Sequence, residues 1–130
     1  MITNKDIENL IYPLYSDLRQ TKWLFCKDTK YEVPSLAAMQ EAIKKHSVRN
    51  LNMPSGADCD DRALQLMARI RLEFPLWPFG ECSGILVGER FLPHDRNIAV
   101  VAEGLKIVEP ENDSIMNPSE ENYKIYWIRI

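Results

Sequence analysis

Cysteine is scarce: Cys26, Cys59 and Cys82 are the only three in a chain of 130 residues. No two of them form a CxxC pair, which removes the usual spacing of a thiolate zinc knot, and so sparse and odd a set is not a disulfide framework. Such usage fits a reducing compartment, and the expected location is cytoplasmic. Long apolar runs are missing too. The opening MITNKDIENL has neither the basic start nor the apolar stretch of a secretion signal. No run elsewhere is long enough to cross a bilayer, so no membrane partner is expected. Charge of one sign is also lacking: 16 Lys and Arg stand against 19 Asp and Glu, a formal net charge of -3. That balance removes the long-range attraction of a nonspecific nucleic-acid binder, and no nucleic-acid partner is expected. The patterns GxxxxGKS/T, GxGxxG and GxSxG are absent. With them goes the sequence support for a P-loop, a dinucleotide fold or a serine hydrolase, and no cofactor is expected.

What is present is 45% hydrophobic and 27% charged residues, which fits a single domain over residues 1–130 around one apolar core. Ile7, Leu10, Ile11, Leu14 and Leu18 fall at helical intervals after a Thr3/Asp6 capping pair, and Pro13 predicts that this segment is broken. KWLFCKDTKYEV, with its turn-like Lys27-Asp28-Thr29, predicts a short hairpin or extended loop. Ser35 caps a predicted helix running to about His46, with Leu36, Met39 and Ile43 inward. Asn50 to Gly56 reads as a connector. The longest helix signal is Asp58 to Phe74, whose buried stripe is Ala63, Leu66, Met67, Ile70 and Phe74, and Pro75 and Pro78 stop it.

The period then changes. Ile85–Phe91, Asn97–Glu103, Leu105–Pro110 and Tyr123–Ile130 read as strands, with Glu103-Gly104 as the tight turn of an antiparallel hairpin. Three helical regions followed by strands predict an α+β class: N-terminal helices and a Cys-bearing helix packed on a mainly antiparallel sheet.

Chemistry concentrates at Ala57-Asp58-Cys59-Asp60-Asp61. Helix-end N–H groups favour a thiolate at Cys59, a nearby imidazolium would favour it more, and the three carboxylates oppose it. The plainer reading makes Cys59 a small buried residue and the aspartates helix caps. His94 stands just before the NIAVVA strand, where its ring either turns to Cys59 or rests on the surface, and His46 belongs to a solvated helix end with Lys44, Lys45 and Arg49. Glu109 ends the next strand. An antiparallel pairing brings it beside His94, as an orienting acceptor or as an ordinary edge carboxylate. A mixed metal set of Asp58, Cys59, His94 and Glu109 lacks close ligand spacing, and no metal is expected. In Leu76-Trp77-Pro78-Phe79 two prolines stiffen an aromatic loop; it closes the core or walls a cleft, with Trp77 the candidate binding wall.

YEVPS, ADCDDRALQLMARI and HDRNIAVVAEGLKIVEPE together resemble small phage and bacterial proteins of the transglutaminase-like (papain-like) cysteine-peptidase group. That pattern has Asp-Cys-Asp-Asp opening a helix, His-x-x-Asn opening a strand and an acidic-Pro pair ending the next. The resemblance covers roughly residues 20 to 115 and implies a transglutaminase-like core with Cys59 as nucleophile, His94 as base and Glu109 as orienter. It places Asp58, Asp60, Asp61, Asn97 and Pro110 at flanking positions. Pro93-His94-Asp95 replaces the usual Gly-His-Ala, and Glu109-Pro110-Glu111 the usual acidic-Pro-Gln. The implied function is amide or acyl hydrolysis or acyl transfer on a protein, peptide or other acyl substrate, with the Cys59 N–H and either Asn50 or Asn52 receiving the oxyanion. The alternative is a noncatalytic phage accessory or binding module that keeps the same fold.

Overall fold

The first helix starts where the sequence says it should. Thr3 Oγ1 accepts from Asp6 N (3.3 Å), Thr3 N donates to Asp6 Oδ2 (2.8 Å), and α1 (Asn4–Ile11) follows the short strand β1 (Ile2–Thr3). Pro13 lies in the turn that separates α1 from α2 (Asp17–Thr21). Ile7, Ile11 and Leu18 are buried, whereas Leu10 and Leu14 are exposed, so the apolar stripe is narrower than the spacing predicts. In this computed structural model the described residues are 1–53, 58–88, 92–119 and 122–130.

The remaining elements are β2 (Leu24–Phe25), β3 (Lys30–Tyr31), α3 (Leu36–His46), α4 (Cys59–Glu73), β4 (Phe79–Leu86), β5 (Leu92–Val101), β6 (Gly104–Glu109), β7 (Ser114–Met116) and β8 (Tyr123–Arg129). Strands order as β2-β8-β4-β5-β6-β7 in one sheet, antiparallel throughout except for the parallel β2–β8 pair at one edge, and β1 pairs with β3 separately. The chain is a mixed α+β fold with N-terminal helices and a Cys-bearing helix against a largely antiparallel sheet. Among the described residues no helix is long and apolar enough to cross a membrane.

The sheet is buried on both faces, and the alternation of β5 shows how. Ile98 and Val100 pack with Ile7, Ile11, Tyr15 and Leu18 of the N-terminal segment. Ala99 and Val101 pack with Met39 and Ile43 of α3 and Leu66, Met67 and Ile70 of α4. A central strand covered on both sides reads as an unbroken apolar run, and each buried Ile or Val contributes about 1.5–3 kcal/mol by leaving water. Ser35 Oγ caps α3 at Ala38 N (3.1 Å), and Glu103 Oε2 accepts from Leu36 N (2.7 Å). The β5–β6 turn therefore also holds the start of α3.

Four sequence-based expectations change or narrow. The tight turn is Ala102-Glu103, since Val101 pairs with Gly104, whose φ of +113° favours glycine. KWLFCKDTKYEV takes the extended alternative and not the hairpin: β2 pairs with β8, and β3 with β1. Strand β7 has no sequence counterpart, being only three residues long. Finally, β4 begins at Phe79 and ends at Leu86 rather than running from Ile85 to Phe91; Phe91 lies outside the described residues. Its glycines hide it from propensity, yet they are what lets β8 approach. A Cβ at Gly80 would sit 2.0 Å from the Arg129 carbonyl oxygen, and one at Gly84 2.6 Å from that of Lys124.

Gly80→Ala is accordingly expected to cost ~3 kcal/mol, because backbone cannot yield as a flexible side chain can. Gly88→Ala, where a Cβ meets nothing within 4 Å, is the matched control. Chemical denaturation of both variants checks this, and equal midpoints would contradict it.

Candidate functional site

Cys59 is the first residue of α4, with Asp58 as N-cap and the Asp58 N–H donating to Asp61 Oδ2 at 3.0 Å. The height of that helix end over the sheet is set by Asn97. Its fully buried Nδ2 donates to Ala63 O of α4 (2.8 Å) and to Gly80 O of β4 (2.9 Å). A buried amide is costly unless bonded, so this side chain joins α4, β4 and β5 in one place. Asn97, a flanking position in the sequence reading, is thus a structural tie.

The β5–β6 ladder stops at the Asn97–Val108 pair, while β5 runs on to Leu92 beside β4 alone. This overhang tolerates Pro93, whose missing N–H costs no ladder bond on an open edge. It also places His94 inside a strand rather than just ahead of one. Two residues beyond the last β6 pair, Asp95 N donates to Cys59 Sγ at 3.3 Å.

By alternation Asp95 and Asn97 point with Ala99 toward α4, and His94 and Arg96 point with Ile98 toward the other face. There His94 Nε2 meets Glu109 Oε1 at 2.5 Å, with both side chains largely buried. Arg96 Nε lies 3.5 Å from the same oxygen. The Tyr123 hydroxyl donates to the His94 carbonyl at 2.6 Å. Cys59 and His94 line a shared surface depression of about 270 Å³, rimmed by the carboxylates of Asp58, Asp60 and Asp95 and bounded by Ser83 and Tyr126. Among the described residues no hydrogen bond links Cys59 to His94, and Nδ1 of His94 bonds to none of them.

Tyr126 reaches this depression through an irregularity. Ser83 pairs with Trp127 and Gly84 with Ile125, leaving Tyr126 as the extra residue of a bulge in β8. Its surrounding alternation, YKIYWIRI, gave no sign of it, and only a pairing partner reveals a bulge. Trp77 is placed away from Cys59, where it lines a different depression of about 490 Å³ with Ala38, Glu73 and Phe74. It follows the far end of α4, roughly 21 Å from Cys59 at the helical rise of about 1.5 Å per residue. There it stacks on Phe74 with ring centroids 3.8 Å apart and planes 8° from parallel. Neither Asn50 nor Asn52 lines the Cys59 depression. Carboxylate oxygens of Asp58, Asp60 and Asp61 lie within 4.8 Å of one another on the exposed helix end, but the mixed set with Cys59, His94 and Glu109 does not assemble to that distance.

Burial pushes the Cys59 thiol above the usual range. The Asp95 N–H bond works against this, and the charges of Asp95 and Asp58 add to it. The helix end therefore does not prevail over desolvation and two carboxylates. Cys82, buried beneath the sheet, is pushed up to about 12, again by burial.

Because only the thiolate alkylates rapidly, the iodoacetamide rate at Cys59 is expected to keep rising above the ordinary thiol range, and Cys82 is expected to label last. Asp95→Asn removes one opposing charge and keeps the N–H, so the Cys59 rate at neutral pH is expected to rise about threefold. Peptide-resolved mass spectrometry follows each thiol; an unchanged or slower rate in Asp95→Asn would contradict the electrostatics.

No protein-family model and no curated protein sequence matches this chain.

Proposed function

We propose that this is a transglutaminase-like, papain-like domain acting as a cysteine-dependent amide or acyl hydrolase or acyltransferase, with Cys59 as nucleophile, His94 as base and Glu109 as orienter. One observation carries the reading: the 2.5 Å contact between His94 Nε2 and Glu109 Oε1. It fixes the ring through one nitrogen and leaves Nδ1 without a partner among the described residues, on a residue that shares a depression with Cys59, the thiol at a helix N-terminus. A carboxylate on the far nitrogen favours the tautomer whose near nitrogen accepts a proton.

The chemistry follows from that. The raised thiol makes a resting thiolate–imidazolium pair unfavourable, so the Cys59 proton passes to His94 Nδ1 as sulfur attacks the acyl carbon. The Cys59 backbone N–H, at the first position of α4, receives the oxyanion. His94 then protonates the leaving amine or alcohol, and a thioester remains on Sγ. Water or an incoming amine, deprotonated by His94, resolves it to acid or to amide. Asp58, Asp60 and Asp95 shape and charge the rim, Asp61 closes the helix cap beside them, and Asn97 holds α4 at the height this step needs.

A second reading is favoured by the lack of a Cys59–His94 hydrogen bond among the described residues. It is a noncatalytic binding module on the same scaffold, in which Cys59 is packed under the Asp95 N–H and His94–Glu109 is a structural pair.

A panel of activated acyl esters and amides, read by intact mass, separates the two. An acyl adduct on the wild type is expected, absent in Cys59→Ala, formed about 100-fold more slowly in His94→Ala and about 10-fold more slowly in Glu109→Gln. Turnover that survives unchanged in Cys59→Ala would overturn cysteine catalysis. Equal binding of a substrate by the wild type and Cys59→Ala, without any adduct, would favour the module.

A further inference from the structure

We propose that Arg96 is a positioning residue for the His94–Glu109 pair, held in place by Tyr123; this rests on reading that pair as the orienting half of the site. Glu109 is a buried carboxylate, its side chain 10% exposed, and Oε1 faces both His94 Nε2 and Arg96 Nε. Its second oxygen, Oε2, is buried without a hydrogen-bond partner among the described residues. A carboxylate in that setting needs a compensating charge. His94 supplies one only while protonated, and a general base must spend part of each cycle neutral. Arg96 does not lose its proton. Among the described residues it is the one permanent cation within ion-pair distance of Glu109, and it keeps the carboxylate aimed at Nε2 in both halves of the cycle.

Arg96 is itself fixed. Its side chain is 15% exposed, and the guanidinium carbon sits 4.7 Å from the centroid of the Tyr123 ring, a cation–π distance. The same tyrosine donates its hydroxyl to the His94 carbonyl at 2.6 Å. One buried aromatic thus supports the side chain that aims Glu109 and the main chain that carries the base. A lysine cannot reproduce this arrangement, because its point charge lacks the plane that stacks on the ring.

The test uses the full chain and a readout that does not depend on turnover: solvent exchange of the His94 Nε2–H and the ring nitrogen chemical shifts, which report the tautomer. Arg96→Gln is expected to speed that exchange about 10-fold and to populate the second tautomer. Arg96→Lys, which keeps the charge, is expected to speed it only about threefold. On an acyl ester turned over by the wild type, Arg96→Gln is expected to lower kcat about 10-fold with KM within about twofold, and Arg96→Lys to restore part of kcat. Exchange and tautomer equal to wild type in folded Arg96→Gln, or Arg96→Lys no closer to wild type than Arg96→Gln, would overturn the proposal. Should Arg96→Gln fail to fold, Arg96→Lys decides alone, since wild-type exchange there removes any need for the stacked guanidinium. Turnover that survives unchanged in Cys59→Ala overturns cysteine catalysis, while the exchange measurement still decides the role of Arg96.

Discussion

A single buried amide sets the geometry on which the candidate site depends. Asn97 donates from the middle of the sheet to a carbonyl in α4 and to a carbonyl in β4, at the point where the β5–β6 ladder ends. An apolar residue there would satisfy neither acceptor and would leave α4 free to slide along its greasy stripe, since burial is non-directional. Hydrogen bonds select one height. At that height the helix N-terminus meets the open edge of β5, and a main-chain N–H of the overhang reaches the Cys59 sulfur.

The overhang is the second constraint. A strand paired on both sides uses its N–H groups in ladders, whereas the Leu92–Arg96 stretch of β5 has β4 on one side only. Pro93 is tolerated there and Asp95 N is free to bond to sulfur. Alternation does the rest: successive residues point to opposite faces, so Asp95 belongs with α4, and His94 and Arg96 belong with Tyr123 and Glu109. Cys59 and His94 line one depression, while the His94 ring meets Glu109 on the other face of the strand. The rim is acidic, which opposes a resting thiolate.

Much of this was legible in the residues. The capping patterns at Thr3/Asp6 and Ser35, the broken segment at Pro13 and the α4 stripe are local signals, and local signals survive folding. The meeting of His94 with Glu109 follows from one hairpin and from period-two alternation. What escaped was non-local. Gly80 and Gly84 weaken the strand signal before Ile85, and only the β8 backbone pressed against them shows that they belong to a central strand. Tyr126 enters the depression through a bulge that alternation does not announce. Trp77 follows the Cys59 helix in sequence, but a 15-residue helix carries its two ends far apart, so Trp77 lines a depression separate from that of Cys59. The Arg96–Tyr123 support was invisible for the same reason, its partners lying on different strands.

The most direct test of a shared Cys59–His94 site is chemical bridging with 1,3-dibromoacetone, which carries two displaceable bromides on a three-carbon frame. Cys59 Sγ displaces the first bromide. A histidine nitrogen within reach displaces the second, leaving a covalent bridge with the loss of two bromides. Peptide mapping is expected to find the Cys59 peptide bridged to the His94 peptide in the wild type, and the bridge lost in His94→Ala while Cys59 is still alkylated. A Cys59 adduct that never bridges to His94 in the folded wild type would contradict a site in which that imidazole serves that thiol.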